Sequence, residues 1–411
     1  MASLPSVPAS ALCVRVGAAP NGHNVAGAVR IQREWRRMGG SGGDRSTSRL
    51  LWAACRPVLR PEAVAATIED GAEVPRAARV AMSQQAAPLM WRALSECGHL
   101  DLLGDTADQL RREYELRRAQ AALLVPLALR TAMEPLRSAG LEPVVLKGPA
   151  LAARYPQPGL RPMQDVDLLL APRDHAAGVA ALTDGGWIPW GGDARHEYDT
   201  VLCHPSLPHL PLELHHGLES WRDRAHALTA HDLWAKRRPL DCMGVATFGL
   251  PVEDELVMLA THAAKPFHHF QRIIWSVDFA VVIAAAGATI DWDAVAARAR
   301  ASRCETAVAV ALRHARRLGA SVPDEAARVP VRRWRREALA PLLDETWPLA
   351  AGNEQLAHRL RYALPDAGRD RARLTVGEVA AAGALHAPAR AGRLVTKVVR
   401  RVRRRSREAG A

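Results

Sequence analysis

Polar and apolar positions divide the chain into stretches with different periods. Between residues 47 and 140 apolar side chains recur at three- and four-residue steps, as at Leu103, Ala107, Leu110 and Tyr114, with charged residues between them. That spacing predicts helices with one buried face. Arg117 breaks the stripe, Ala121 and Leu124 resume it, Pro126 interrupts the run and Gly140 closes it. At Leu141 the texture changes. Glu142 to Leu146 is short, β-branched and bounded by Pro143 and Gly148, which predicts a buried strand. Val166 to Leu170 predicts a second, stopped by Pro172, and Asp174 to Leu182 a helix ended by Gly185-Gly186. Further strands are expected over Trp187–Trp190, Tyr198–Cys203 and Leu210–His215, with a hairpin around Met243 to Leu250. Helical periodicity returns over Val252–Ala264, Phe270–Ala286, Trp292–Ala301 and Thr306–Leu318.

The expected fold class is α+β, a small mixed sheet flanked by N- and C-terminal helical parts. The segments are a disordered stretch over 1–46, a helical region over 47–140, an α/β core over 141–250, a helical domain over 251–365 and a basic, flexible tail over 366–411.

Composition changes this picture in three places. The net charge of +12 is mostly a tail property: between Arg390 and Ala411, eight Arg and one Lys against one Glu give +8, leaving +4 for the rest. A near-neutral body counts against direct action on nucleic acid, which is bound chiefly through clustered Lys and Arg. The tail itself has the composition for contact with RNA or an anionic membrane surface, or for a solvated appendage. Lys occurs only four times, at 147, 236, 265 and 397, against 51 Arg, so each Lys stands out. No apolar run approaches the ~20 residues of a transmembrane helix, and residues 1–30 lack the pattern of a secretory signal. Six Cys without a CxxC pair predict reduced thiols and a cytoplasmic protein.

The chemistry concentrates in Leu146-Lys-Gly-Pro and Leu160-Arg-Pro-Met-Gln-Asp-Val-Asp-Leu-Leu-Leu170. Asp165 and Asp167 head an apolar strand two residues apart, so alternation turns both carboxylates to one face. At ~4 Å and an effective dielectric near 20, two such charges repel by roughly 4 kcal/mol. A bare pair needs a proton or a cation, and neutralising either Asp is expected to relieve strain. Mg²⁺ suits such hard oxygen ligands and leaves room for phosphates. The spacing alone proves little, because Asp291-Trp-Asp293 repeats it ahead of a helical run, where a helix cap suffices. Glu213, flanked by Leu212 and Leu214, is a third carboxylate that needs a partner. A shared metal would serve, as would a salt bridge with Arg161 or Arg154. His215 shares a strand face with Glu213 and is placed to orient it or to meet a nucleotide, whereas a zinc site fits no standard spacing.

At these residues the chain resembles the nucleotidyltransferase superfamily that includes DNA polymerase β, and more closely an uncharacterised branch of it. The shared features are a strand ending in Leu146-Lys-Gly148, Arg161-Pro-Met-x-Asp-x-Asp-Leu-Leu169, Glu213-Leu-His215 and a helical C-terminal part with His262, Lys265, Arg272, Trp275 and Asp278. The resemblance runs from about Leu141 to Gly319. It implies a nucleotidyltransferase core in which Asp165, Asp167 and Glu213 are catalytic and hold two Mg²⁺ ions. It also implies that Lys147, Gly148 and Arg161 bind the nucleotide, ATP or another NTP, whose NMP passes to an unidentified acceptor hydroxyl. One element departs from the superfamily: its Gly-Ser turn is replaced by Gly148-Pro149. Two alternatives remain at this point, a metal-dependent glycosyltransferase using the Asp165-x-Asp167 pair and a catalytically silent nucleotide-binding or interaction protein.

Overall fold

A computed structural model describes residues 45–190, 198–218, 226–265, 268–328, 339–350 and 364–366. The N-terminal segment before residue 45 and the basic tail beyond residue 366 lie outside the described residues. So does any RNA or membrane contact made through Arg390–Ala411.

The first helices are α1 (Arg45–Ala54), α2 (Pro61–Glu69), α3 (Val74–Ser83), α4 (Ala87–Glu96), α5 (Ala107–Ala119) and α6 (Val125–Ser138). Proline stands in the first turn of α2, α3, α4 and α6, where its missing N–H costs nothing. Pro126 therefore starts α6. The interruption predicted there is instead a π-helical turn over Gln120–Leu124. Its wider turn shifts the phase of the buried stripe: Val125, Ala128 and Leu129 turn inward, while Leu123 is 66 % exposed and Leu124, expected inside, 36 %.

The sheet has seven strands, β1 (Val144–Leu146), β2 (Val166–Leu169), β3 (Ile188–Pro189), β4 (Asp199–His204), β5 (Leu207–His215), β6 (Arg238–Cys242) and β7 (Val245–Gly249), in the order β3-β4-β5-β2-β1-β7-β6. β2–β5 and β1–β7 are parallel and the other pairs antiparallel, so the sheet is mixed and the fold α+β as expected. The hairpin turns at Met243-Gly244, both at positive φ (56° and 77°), which makes Arg238–Cys242 its first strand. Between the strands lie α7 (Lys147–Ala152), α8 (His175–Asp184) and α9 (Ala230–Ala235). After them come α10 (Val252–Ala264), α11 (Ile273–Ala286), α12 (Trp292–Ala301), α13 (Glu305–Arg317) and the short α14 (Trp347–Ala350). None of the described helices is long and apolar enough to cross a membrane.

Strand alternation gives the sheet two different faces. Val166, Leu168, Leu212 and Leu214 pack on α6 in one apolar core. Leu146 and Leu169, on the opposite face, belong to a second core built from α1–α4 together with α10–α13. The N- and C-terminal helices thus share one interior. The charged residues of β2 and β5 look towards it.

Candidate active site

Register brings the charges together. Asp167 on β2 pairs with Glu213 on the parallel β5, and on its other side with Leu146, the last residue of β1. Asp199 on β4 stands opposite His215. Asp167, Glu213, His215 and Asp199 are buried, none more than 5 % exposed. Asp167, Glu213 and His215 each offer a ligand atom, all within 4.8 Å of one another. Asp165 lies one residue before β2 and is less deeply buried.

Two cations already sit in this cluster. Lys147 Nζ is 2.7 Å from Asp167 Oδ1, and His215 Nε2 is 2.8 Å from the same oxygen and 3.4 Å from Glu213 Oε2. Burial alone would raise the Asp167 carboxyl, but Lys147 and His215 outweigh it and hold it well below the usual range. Burial would lower His215, yet its bonds to Asp167 and Glu213 raise it to about 9, so it donates as an imidazolium. Burial would also lower Lys147, and the carboxylates around it push it up instead. Asp165 goes the other way: burial, Asp167 and Glu213 raise it to about 7. The cation demanded by a carboxylate pair therefore stands at Asp167, and a proton is favoured on Asp165 over Asp167. The expectation that neutralising either Asp relieves strain does not extend to Asp167, which has partners to lose.

Local backbone explains the placement of Lys147. It opens the turn from β1 into α7 at φ 44°, a left-handed conformation more often given to glycine. Gly148 serves a different need. A Cβ there would lie 3.3 Å from Met163 Cγ and 3.4 Å from Arg161 Nη1, so its bareness lets α7 meet the loop that carries Asp165.

That loop is tied down from three sides. Arg161 forks onto Asp278 of α11, Nε to Oδ1 at 2.9 Å and Nη2 to Oδ2 at 3.0 Å, and Tyr155 donates its hydroxyl to Oδ1 at 2.6 Å. Arg154 pairs with the buried Glu255 of α10. Gln120, at the start of the π turn, donates its side-chain amide to the Met163 carbonyl at 2.9 Å. Arg161 and Arg154 are thus turned to Asp278 and Glu255, and His215 stands beside Glu213. Asp278 pairs with Arg161, while the Arg272 guanidinium lies 5.3 Å from the Trp275 ring centre.

Across from the carboxylates stand His262 and Lys265 of α10 and its end. Burial first, and then Lys147, hold His262 well below the ordinary imidazole range. A cavity of about 20 Å³ lies between Lys147, His215, His262 and Lys265. It has room for a single water.

Of the residues singled out in the sequence, Lys147, Asp165, Asp167, Glu213 and His215 converge, Gly148 packs beneath the loop, and the Arg161 fork is turned to Asp278. Asp199 was missed, since its place opposite His215 depends on a strand pairing that local pattern does not carry. Among the described residues, His204, His209 and His268 stand outside the close donor group, and Trp275 packs at 8 % exposure. Asp291 caps α12, accepting from the Ala294 amide at 2.9 Å, as its sequence context predicted.

No curated protein and no solved structure matches the chain. A family model described as an uncharacterised nucleotidyltransferase matches residues 70–320. The match begins well ahead of Leu141, in the N-terminal helices, and so includes part of the body that backs the carboxylate face. Spanning more than half of the sequence, it establishes that the chain belongs to this uncharacterised nucleotidyltransferase family.

Proposed function

We propose that the protein transfers NMP from an NTP to an acceptor hydroxyl, forming a bond from the acceptor oxygen to the α-phosphorus and releasing pyrophosphate. The reading rests on one observation: Asp167 and Glu213 stand in register on adjacent parallel strands, and with His215 they offer ligand atoms within 4.8 Å of one another. The donor set suits a divalent cation, with hard carboxylate oxygens for Mg²⁺ and an imidazole that also admits Mn²⁺. Asp165, Asp167 and Glu213 would hold two Mg²⁺ ions. Bound there, the ions supply charge neutralisation at the triphosphate and at the attacking and leaving oxygens.

The chain's own groups do the rest. Glu213 receives the acceptor proton, and His215 holds that carboxylate in place. Lys147 and Gly148 lie on the phosphate side. Arg161 contributes through its fork on Asp278, which fixes the loop bearing Asp165. A glycosyltransferase with this carboxylate pair would carry an extended nucleotide-binding sheet before it. Here one three-residue strand precedes β2, and the described residues before β1 are largely helical.

Incubation with each labelled NTP, Mg²⁺ and a cell extract tests the reading. Wild type is expected to label an acceptor and release pyrophosphate, while Asp167→Asn does neither. If no NTP is consumed and none raises the melting temperature with Mg²⁺, the assignment fails, and a silent interaction protein takes its place.

A further inference from the structure

The position of Lys147 has a consequence for how the site fills. Asp167 Oδ1 receives Lys147 Nζ at 2.7 Å and His215 Nε2 at 2.8 Å. A carboxylate oxygen has two lone-pair directions, so both are taken. Lys147 thus already sets a positive charge on the oxygen that a divalent ion would take. Lys147 is one of only four Lys among 55 basic residues. Its ammonium is a point charge on a flexible stem, unlike the forked Arg161, which spreads over both oxygens of Asp278. The cavity that Lys147 lines is otherwise bounded by histidine, lysine, threonine and apolar side chains, among them His215, His262 and Lys265, with no carboxylate among the described residues that line it. An ammonium leaving Asp167 for that cavity needs an incoming anion.

We propose that Lys147 is a tethered counter-ion that keeps the place of the divalent cation and yields it when a nucleoside triphosphate arrives. The cation then takes Asp167, and the ammonium moves onto phosphate. This rests on the reading of the site as a metal-dependent nucleotidyltransferase centre. Metal and nucleotide consequently bind with positive coupling, and the metal alone binds weakly. An Arg at this position would grip the carboxylate and resist the exchange.

Binding of Mn²⁺ to the full chain without nucleotide, followed by the electron paramagnetic resonance of the free ion, tests this directly. Lys147→Met is expected to bind Mn²⁺ at least about tenfold more tightly than wild type, within the range of ordinary coupling. Adding Asp167→Asn to it should abolish the gain. Equal or weaker binding by Lys147→Met, with Asp167→Asn still abolishing wild-type binding, overturns the exchange and leaves the metal site standing. Unchanged binding after Asp167→Asn in both backgrounds overturns the site itself. Wild type offers a second measurement if the variant does not fold. With four Lys in the chain, the ε-carbon resonances are few enough to assign by elimination. The Lys147 signal is expected to move with Mg²⁺ plus α,β-methylene-ATP and to stay with Mg²⁺ alone. A signal unmoved by the pair, while the pair raises the melting temperature, overturns the proposal.

Discussion

Asp167 and Asp278 are equally hidden carboxylates, 2 % and 1 % exposed, and each meets a cation, yet the two clusters are built for different ends. Asp278 is saturated from several directions, with one Arg contact on each oxygen and the Tyr155 hydroxyl added at 2.6 Å. Asp167 has Lys147 and His215 crowded on one oxygen. The first arrangement distributes its bonds and locks a loop to a helix. The second concentrates both contacts on one oxygen of a group whose ligand atoms lie within 4.8 Å of one another. Burial alone does not separate structural from reactive charge; the geometry of the partners does.

The largest effect should come from breaking the locked cluster. Asp278→Ala leaves the Arg161 guanidinium buried without its partner, at a cost of about 3–5 kcal/mol. Denaturation in EDTA and in Mg²⁺–ATP should show the same loss. A variant that melts like wild type would put the two clusters in one class. Asp167→Asn comes next. In EDTA it should lose about 1–3 kcal/mol, the cost of a charged bond withdrawn from buried donors. It should also lose the stabilisation by Mg²⁺–NTP, about 2.7 kcal/mol at a hundredfold excess over Kd.

A smaller effect is expected from pH. Between the ordinary Asp value of 3.8 and about 7, the unfolded chain ionises Asp165 while the folded one retains the proton, so stability falls as pH rises. His215 adds a second fall between 6.5 and about 9, since the folded state holds its proton more tightly there. Below 6.5 the buried neutral imidazoles of His262, His268 and His314 act in the opposite sense, so Asp165 is read there as the difference between wild type and Asp165→Asn; from pH 7 to 9 melting of the metal-free protein should decline. A wild-type curve that rises across this range would contradict the charges assigned to the cluster. The smallest effect belongs to the other Asp-x-Asp. Asp291→Ala should cost ~1 kcal/mol through its lost cap and leave the response to Mg²⁺–NTP intact.

Much of this was legible in the sequence. Helices over Val252–Ala264 and Trp292–Ala301 begin and end where periodicity and the Asp291 cap place them. On the carboxylate face β2 begins at Val166 as the apolar run before Pro172 predicted, and β5 ends at His215 as expected but starts at Leu207, three residues ahead of the predicted Leu210. The convergence of Asp165, Asp167 and Glu213 followed from family-like blocks. What local pattern could not supply was non-local. The partner of Lys147 depends on how β1 lies against β2, and that of Asp278 on a loop 117 residues earlier. The π turn also escaped, because one additional residue in a turn leaves no mark in composition and only shifts a phase.

The interior shared by α1–α4 and α10–α13 bears on the making of the chain. A ribosome delivers the first group before any strand exists and the second only after the whole sheet. At ~5–20 residues per second, the apolar faces of α1–α4 wait on the order of ten seconds for their cover. During that interval the strands bearing Asp167 and Glu213 emerge beside an incomplete body. Residues 252–318 are therefore the closing piece, and a nascent chain stalled before them should be cut readily within 45–110 by added protease. The order of synthesis makes the last helices the ones that seal the first.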